Sequence, residues 1–136
     1  MEENATPITL ADFAQKYFEF FERTAADDRE MYRFLDNMAF PDECCSLGFK
    51  MDCGQSFIKT CGEDAWRSVD ELQRIIDSIN DTKLLGSAIF SQWRYFNHWA
   101  GSGLKEEDRE WFIVMFRRLK QLSEKTNNGT LKIMHV

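Results

Sequence analysis

A chain of 136 residues and 16.0 kDa is the size of one domain, and on folding it can bury about two thirds of its unfolded surface around one core. With 43% apolar, 29% charged and 14% aromatic residues, and only 7 Gly and 2 Pro, it is not a disordered, collagen-like or low-complexity chain. Seventeen basic against 23 acidic side chains give a formal charge of −6 and a pI near 4.9, the wrong sign for a protein whose affinity comes from neutralising phosphates, so no nucleic-acid partner is expected.

The segment Met1 to Pro7 is acidic and has neither the basic start nor the apolar run of an export signal. No stretch has the length and apolarity of a membrane span. The expectation is a cytoplasmic protein without membrane contact. There Cys44, Cys45, Cys53 and Cys61 are expected as free thiols. The Asn-X-Ser/Thr triplets at Asn4, Asn80 and Asn128 are then read as chance matches.

Thr9 followed by Asp12 has the form of a capping box, and apolar residues recur at Leu10, Phe13, Tyr17, Phe20 and Phe21. This predicts an amphipathic helix over about 10–24. Asp27, Asp28 and Glu30 interrupt the stripe, which resumes at Met31, Phe34, Leu35 and Met38 as one bent helix or two short ones. Phe40-Pro41 is expected to close it, because Pro lacks a backbone donor and disfavours helix in the residue before it. Ser46 to Met51 alternates weakly, as a short strand does. Asp52 and Gln55 are placed to cap a two-turn helix through Phe57 and Ile58, which Gly62 would end.

From Glu63 to Asn80, Trp66, Val69, Leu72, Ile75, Ile76 and Ile79 return at spacings of three and four, which predicts a helix with one buried face. Asp81 or Thr82 can cap the next. There Leu84, Leu85, Ala88, Ile89, Phe90, Trp93, Tyr95, Phe96, Trp99 and Ala100 cover almost the whole circumference, so 83–100 is expected as a central helix enclosed by others. A last helix over about 105–124 opens with Glu106, Glu107 and Asp108 and ends with Arg117, Arg118 and Lys120, the order that suits the helix dipole. Asn127-Asn128-Gly129 reads as a turn, and 130–136 alternates as a strand that would pair with 46–51 in a two-stranded ribbon. The expected fold is mainly α: a single-domain array of four to six helices around 83–100, with that ribbon as its one β element.

Ser87, Ser91, Arg94 and His98, spaced four, three and four, fall on one face of the central helix and form a candidate site for an anionic ligand. Arg94 would supply a planar fork and His98 a proton donor or acceptor. Alternatively, Arg94 pairs with Asp70 or Asp77. A Ser91–His98 nucleophile pair is ruled out, since seven residues along one helix is about 10 Å. The cysteines with His98 or His135 lack the spacing of a zinc site, so no metal and no cofactor is expected. Cys53 near a helix start is a candidate nucleophile, and weaker than its reading as a small buried hydrophobe.

Phe18, Phe20 and Phe21 cannot all face one side of a single helix, which makes them the candidate interaction residues. The leading functional reading is a small helical interaction protein of the inhibitor, immunity or adaptor kind, binding another protein or a second copy of itself through an acidic, aromatic surface. Behind it stand a small-ligand domain using Arg94 and His98, and an enzyme of unassigned class.

Overall fold

The computed structural model describes residues 8–25, 29–51, 55–62, 68–99 and 105–134, and for 55, 56, 58, 98, 99 and 125–134 the backbone alone. Among the described residues there are seven helices and no strand: α1 (Leu10–Arg23), α2 (Arg29–Leu35), α3 (Ala39–Ser46), α4 (Gln55–Cys61), α5 (Val69–Ile76), α6 (Thr82–Trp99) and α7 (Glu106–Met134). The chain is mainly α, as its periodicity implies.

Local chemistry sets most boundaries. The Thr9 hydroxyl accepts from the Asp12 amide at 3.1 Å to start α1, and the Asp81 carboxylate accepts from the Lys83 and Leu84 amides at 3.0 and 3.1 Å to start α6. Ser68 is extended, and its hydroxyl accepts from the Glu71 amide at 3.1 Å, so α5 begins at Val69 and no helix runs through 68. Of the longer helix expected from Glu63, residues 63–67 lie outside the described residues.

Two expectations are overturned. Pro41 does not end a helix; it sits in the first turn of α3, where the donor it lacks has no partner in any helix. The Asn37 carboxamide oxygen accepts from the Ala39 amide at 3.1 Å at the same helix start. The ribbon between 46–51 and 130–136 does not form either. Ser46 closes α3, Gly48 takes φ +83, and the Gly48 and Phe49 amides donate to the Cys45 and Cys44 carbonyls at 3.0 and 2.9 Å. This is a Schellman turn, which uses the amides a strand would have offered to a neighbour. With no partner there, 130–134 satisfies its backbone within α7, while 135 and 136 lie outside the described residues.

Helix α7 packs along α1, α5 and α6, and α6 packs against α2, α3 and α4. Between them lies an aromatic core. Phe21 stacks on Phe112 with centroids 5.1 Å apart, Phe13 stacks on Phe40 at 5.6 Å, and Phe34 meets Phe40 edge-on at 5.0 Å. The expected enclosure of 83–100 holds for part of that helix: Leu85 through Ser91 and Trp93 are buried, whereas Arg94 and Tyr95 are exposed.

Candidate functional site

The residues that best qualify as a site line a groove between α1 and α2. Along α1 stand Lys16, Tyr17, Phe20 and Arg23; along α2 and the turn after it stand Glu30, Arg33, Phe34 and Asn37, around an open volume of about 450 Å³. Both rows follow the spacing by which a helix repeats one face. Phe34 closes the floor against Phe20 at 5.9 Å and Tyr17 at 5.7 Å. Asn37 lies at the Tyr17 end, where its side-chain amide donates to the Tyr17 hydroxyl at 3.4 Å, so the two rows run antiparallel.

Side chains from the two long helices hold both walls. The Arg109 guanidinium donates to the Thr24 and Glu22 carbonyls at the end of α1. The Trp93 indole donates to the Phe34 carbonyl at 2.9 Å, and the Asn97 amide to the Leu35 carbonyl at 2.7 Å, at the end of α2. These bonds satisfy carbonyls that a helix leaves open at its C-terminus and so set where each wall stops.

Charge within the groove is unevenly paired. Lys16 is joined to the Glu43 carboxylate at 2.8 Å and also lies 4.9 Å from the Tyr17 ring centroid. The Tyr17 hydroxyl donates to the other oxygen of Glu43. Burial, followed by the hydrogen bond to Glu43 and that residue's charge, pushes the Tyr17 hydroxyl far above its ordinary value, so it stays protonated. Arg23 lies over the Phe20 ring at 5.8 Å. Neither Arg23 nor Arg33 has a side-chain hydrogen bond or ion pair among the described residues. Among the described residues of the lining Glu30 is the one carboxylate, so these carry an excess of positive charge on a chain whose total is −6.

The stripe singled out on the central helix is placed differently. Ser87 is buried, and its hydroxyl accepts from the Lys50 amide at 2.8 Å, tying down the chain after the Schellman turn. Ser91 is also buried. Arg94 is exposed and donates to the Asn97 side-chain oxygen at 3.3 Å, with no bond to Asp70 or Asp77 among the described residues. His98 follows one turn later, and its side chain lies outside the described part. Spacing places these residues on one face, but the cover over that face stops before Arg94.

The three phenylalanines also separate. Phe21 is fully buried between Phe34, Phe112 and Phe116, so it cannot meet a partner. Phe18 is half-buried with Arg117 over its ring at 5.8 Å, away from the groove. Phe20 alone lines the groove. Reading the sequence for aromatic excess found Phe20 and missed Lys16, Arg23, Arg33 and Asn37, whose signal is a pair of basic residues seven apart flanking aromatic ones.

Burial raises the thiols of Cys44 and Cys61, so neither is an activated group. Cys44 is buried, and that burial, with the charge of Glu43 adding to it, pushes its thiol far above the ordinary range. Cys53 lies outside the described residues, and among the described ones no three His, Cys, Asp or Glu side chains group as metal ligands would. No described helix is long and apolar enough to cross a membrane. Comparison with protein-family models, curated proteins and solved structures finds no match for this chain.

Proposed function

We propose that this chain is a protein-binding module and that the groove between α1 and α2 is the face it presents to its partner. The observation that carries this reading is the combination of a partly exposed ring, Phe20, backed by the buried Phe34 and Tyr17, and two exposed arginines in no ion pair among the described residues, on walls fixed by Arg109, Trp93 and Asn97. Aromatic side chains and arginine are enriched among the residues that contribute most to protein interfaces, the aromatics for the surface they bury and arginine for its planar fork of donors. A groove already shaped before binding limits the ordering cost of association.

The two other classes have less support. A small-ligand site on Ser87, Ser91, Arg94 and His98 would draw on a serine already bonded to Lys50 and an arginine already bonded to Asn97 on the surface. For an enzyme, the described residues offer the part-buried pair Tyr17 with Glu43, where the hydroxyl is held protonated, the opposite of an activated base or nucleophile.

The test is site-specific photo-crosslinking in an extract of the native cell, with the reactive group at position 33 in the groove or at position 117, which is exposed on α7. The reading predicts a discrete protein adduct from position 33, and a purified partner that binds the wild type and loses affinity for Arg33→Gln. Adducts from position 117 and none from position 33 would overturn it.

A further inference from the structure

Lys16 and Arg23 stand seven residues apart on α1, about 10 Å along its axis, yet their electrostatic situations differ. Glu43 occupies Lys16 from within the fold. Arg23 on one wall and Arg33 on the other have no such internal anion among the described residues. A guanidinium presents several N–H donors in a rigid plane matched to a carboxylate, and partly desolvated charge-assisted bonds of that kind are the strong ones. The groove they share is also lined by Phe20, whose partly exposed ring offers apolar surface and no hydrogen-bond acceptor and rests on the buried Phe34.

Resting on the reading of the groove as the protein-binding face, we infer that its occupant is an acidic segment of the partner, with a carboxylate taken by Arg23 and Arg33 and an adjoining aliphatic or aromatic side chain set on the partly exposed Phe20. The choice follows from charge. A basic segment would bring its cations against Arg23 and Arg33, with Glu30 the one carboxylate among the described lining residues, and like charges forced together are disfavoured. The remainder of α1 sets a limit on where the segment lies. Glu19 and Glu22 flank Lys16, Phe20 and Arg23 on the outer side of the helix, so an acidic segment is repelled there and favoured on the α2 side. The arginines would therefore set both the class of partner and the side of α1 on which it sits.

The experiment selects random displayed peptides against the whole immobilised protein and, in parallel, against the Arg23→Gln/Arg33→Gln double variant. Peptides from the wild-type selection are then mapped by amide chemical shifts. Expected are Asp and Glu enriched beside Leu, Phe or Trp in the wild-type pool, shifts concentrated in residues 16–37, and a loss of about tenfold or more in affinity on the double variant, the scale of one charge-assisted contact. Selected peptides that shift those residues but are neutral or basic would overturn the acidic assignment and leave the groove standing as a binding face. Failure to select any peptide, or shifts confined to other helices, would overturn both. Excess inorganic phosphate that reproduces the same shifts and displaces the peptide would show a small-anion site, and would also overturn the inference.

Discussion

The ring of Phe49 fills the space that a side chain at Gly86 would need: a Cβ there would lie 2.2 Å from Phe49 Cε1. Phe49 arrives at that point because the Schellman turn at Gly48 ends α3 and sends the chain back toward α6, where Ser87 holds the Lys50 amide. In an exposed helix interior, Gly→Ala stabilises by about 1 kcal/mol. Here Gly86→Ala should destabilise by about 1–3 kcal/mol, since a buried ring cannot withdraw without disturbing its neighbours. Adding Phe49→Leu should recover part of that loss. Urea denaturation of the three variants checks it, and a stabilised Gly86→Ala would show that the helix and the turn do not meet as described.

Tyr17 and Cys44 make stability depend on alkaline pH. Both groups ionise less readily in the folded chain than at their ordinary values of 10.0 and 9.0. The unfolded chain therefore releases these protons first as pH rises, and the two groups' contribution to stability, constant through neutrality, falls from about pH 9 and more steeply above about pH 10. Tyr17→Phe should make the fall above pH 10 shallower, while costing about 1 kcal/mol at neutral pH because Glu43 loses a donor. Denaturation midpoints measured from pH 7 to 11 give both effects, and an unchanged alkaline slope in Tyr17→Phe would count against the buried Tyr17–Glu43 pair.

Two arginines of α7 close the ends of other helices. Arg118 donates through Nε and Nη2 to the Ile79 carbonyl at 3.1 and 2.9 Å after α5, much as Arg109 does for α1. Replacing either with Met keeps much of the apolar stem and removes the donors. Each should cost about 1–3 kcal/mol, the scale of hydrogen bonds from a charged group. Arg109→Met should in addition speed amide exchange at Thr24, whose N–H closes the last turn of α1 on the Phe20 carbonyl. Equal exchange in both proteins would mean that Arg109 does not hold that wall of the groove.

Much of the helical fold was legible because its signals are local. Thr9, Asp81 and the Gly62 stop need only neighbouring residues to act, and each stands where the pattern placed it. The errors arose where one residue type serves two geometries. Pro41 suits a helix start as well as an end, and Ser46–Met51 has the apolar spacing of a strand, although Gly48 at positive φ makes it a turn. The groove was harder to read. Lys16, Tyr17, Phe20 and Arg23 form a row on α1 by spacing alone, but only the antiparallel return of α2 sets Arg33 and Asn37 opposite them, and that contact is not local. Arg94 was misplaced for the converse reason, since helical spacing states which residues share a face and not how far along the helix that face is covered.

The most direct measurement is the affinity of the purified partner for wild type, Arg23→Gln/Arg33→Gln and Arg94→Gln, by calorimetry at one ionic strength. With the groove as the binding face, the double variant loses about tenfold or more and Arg94→Gln binds as wild type does. Full affinity in the double variant with a loss in Arg94→Gln would move the site to the outer end of α6 and contradict this account.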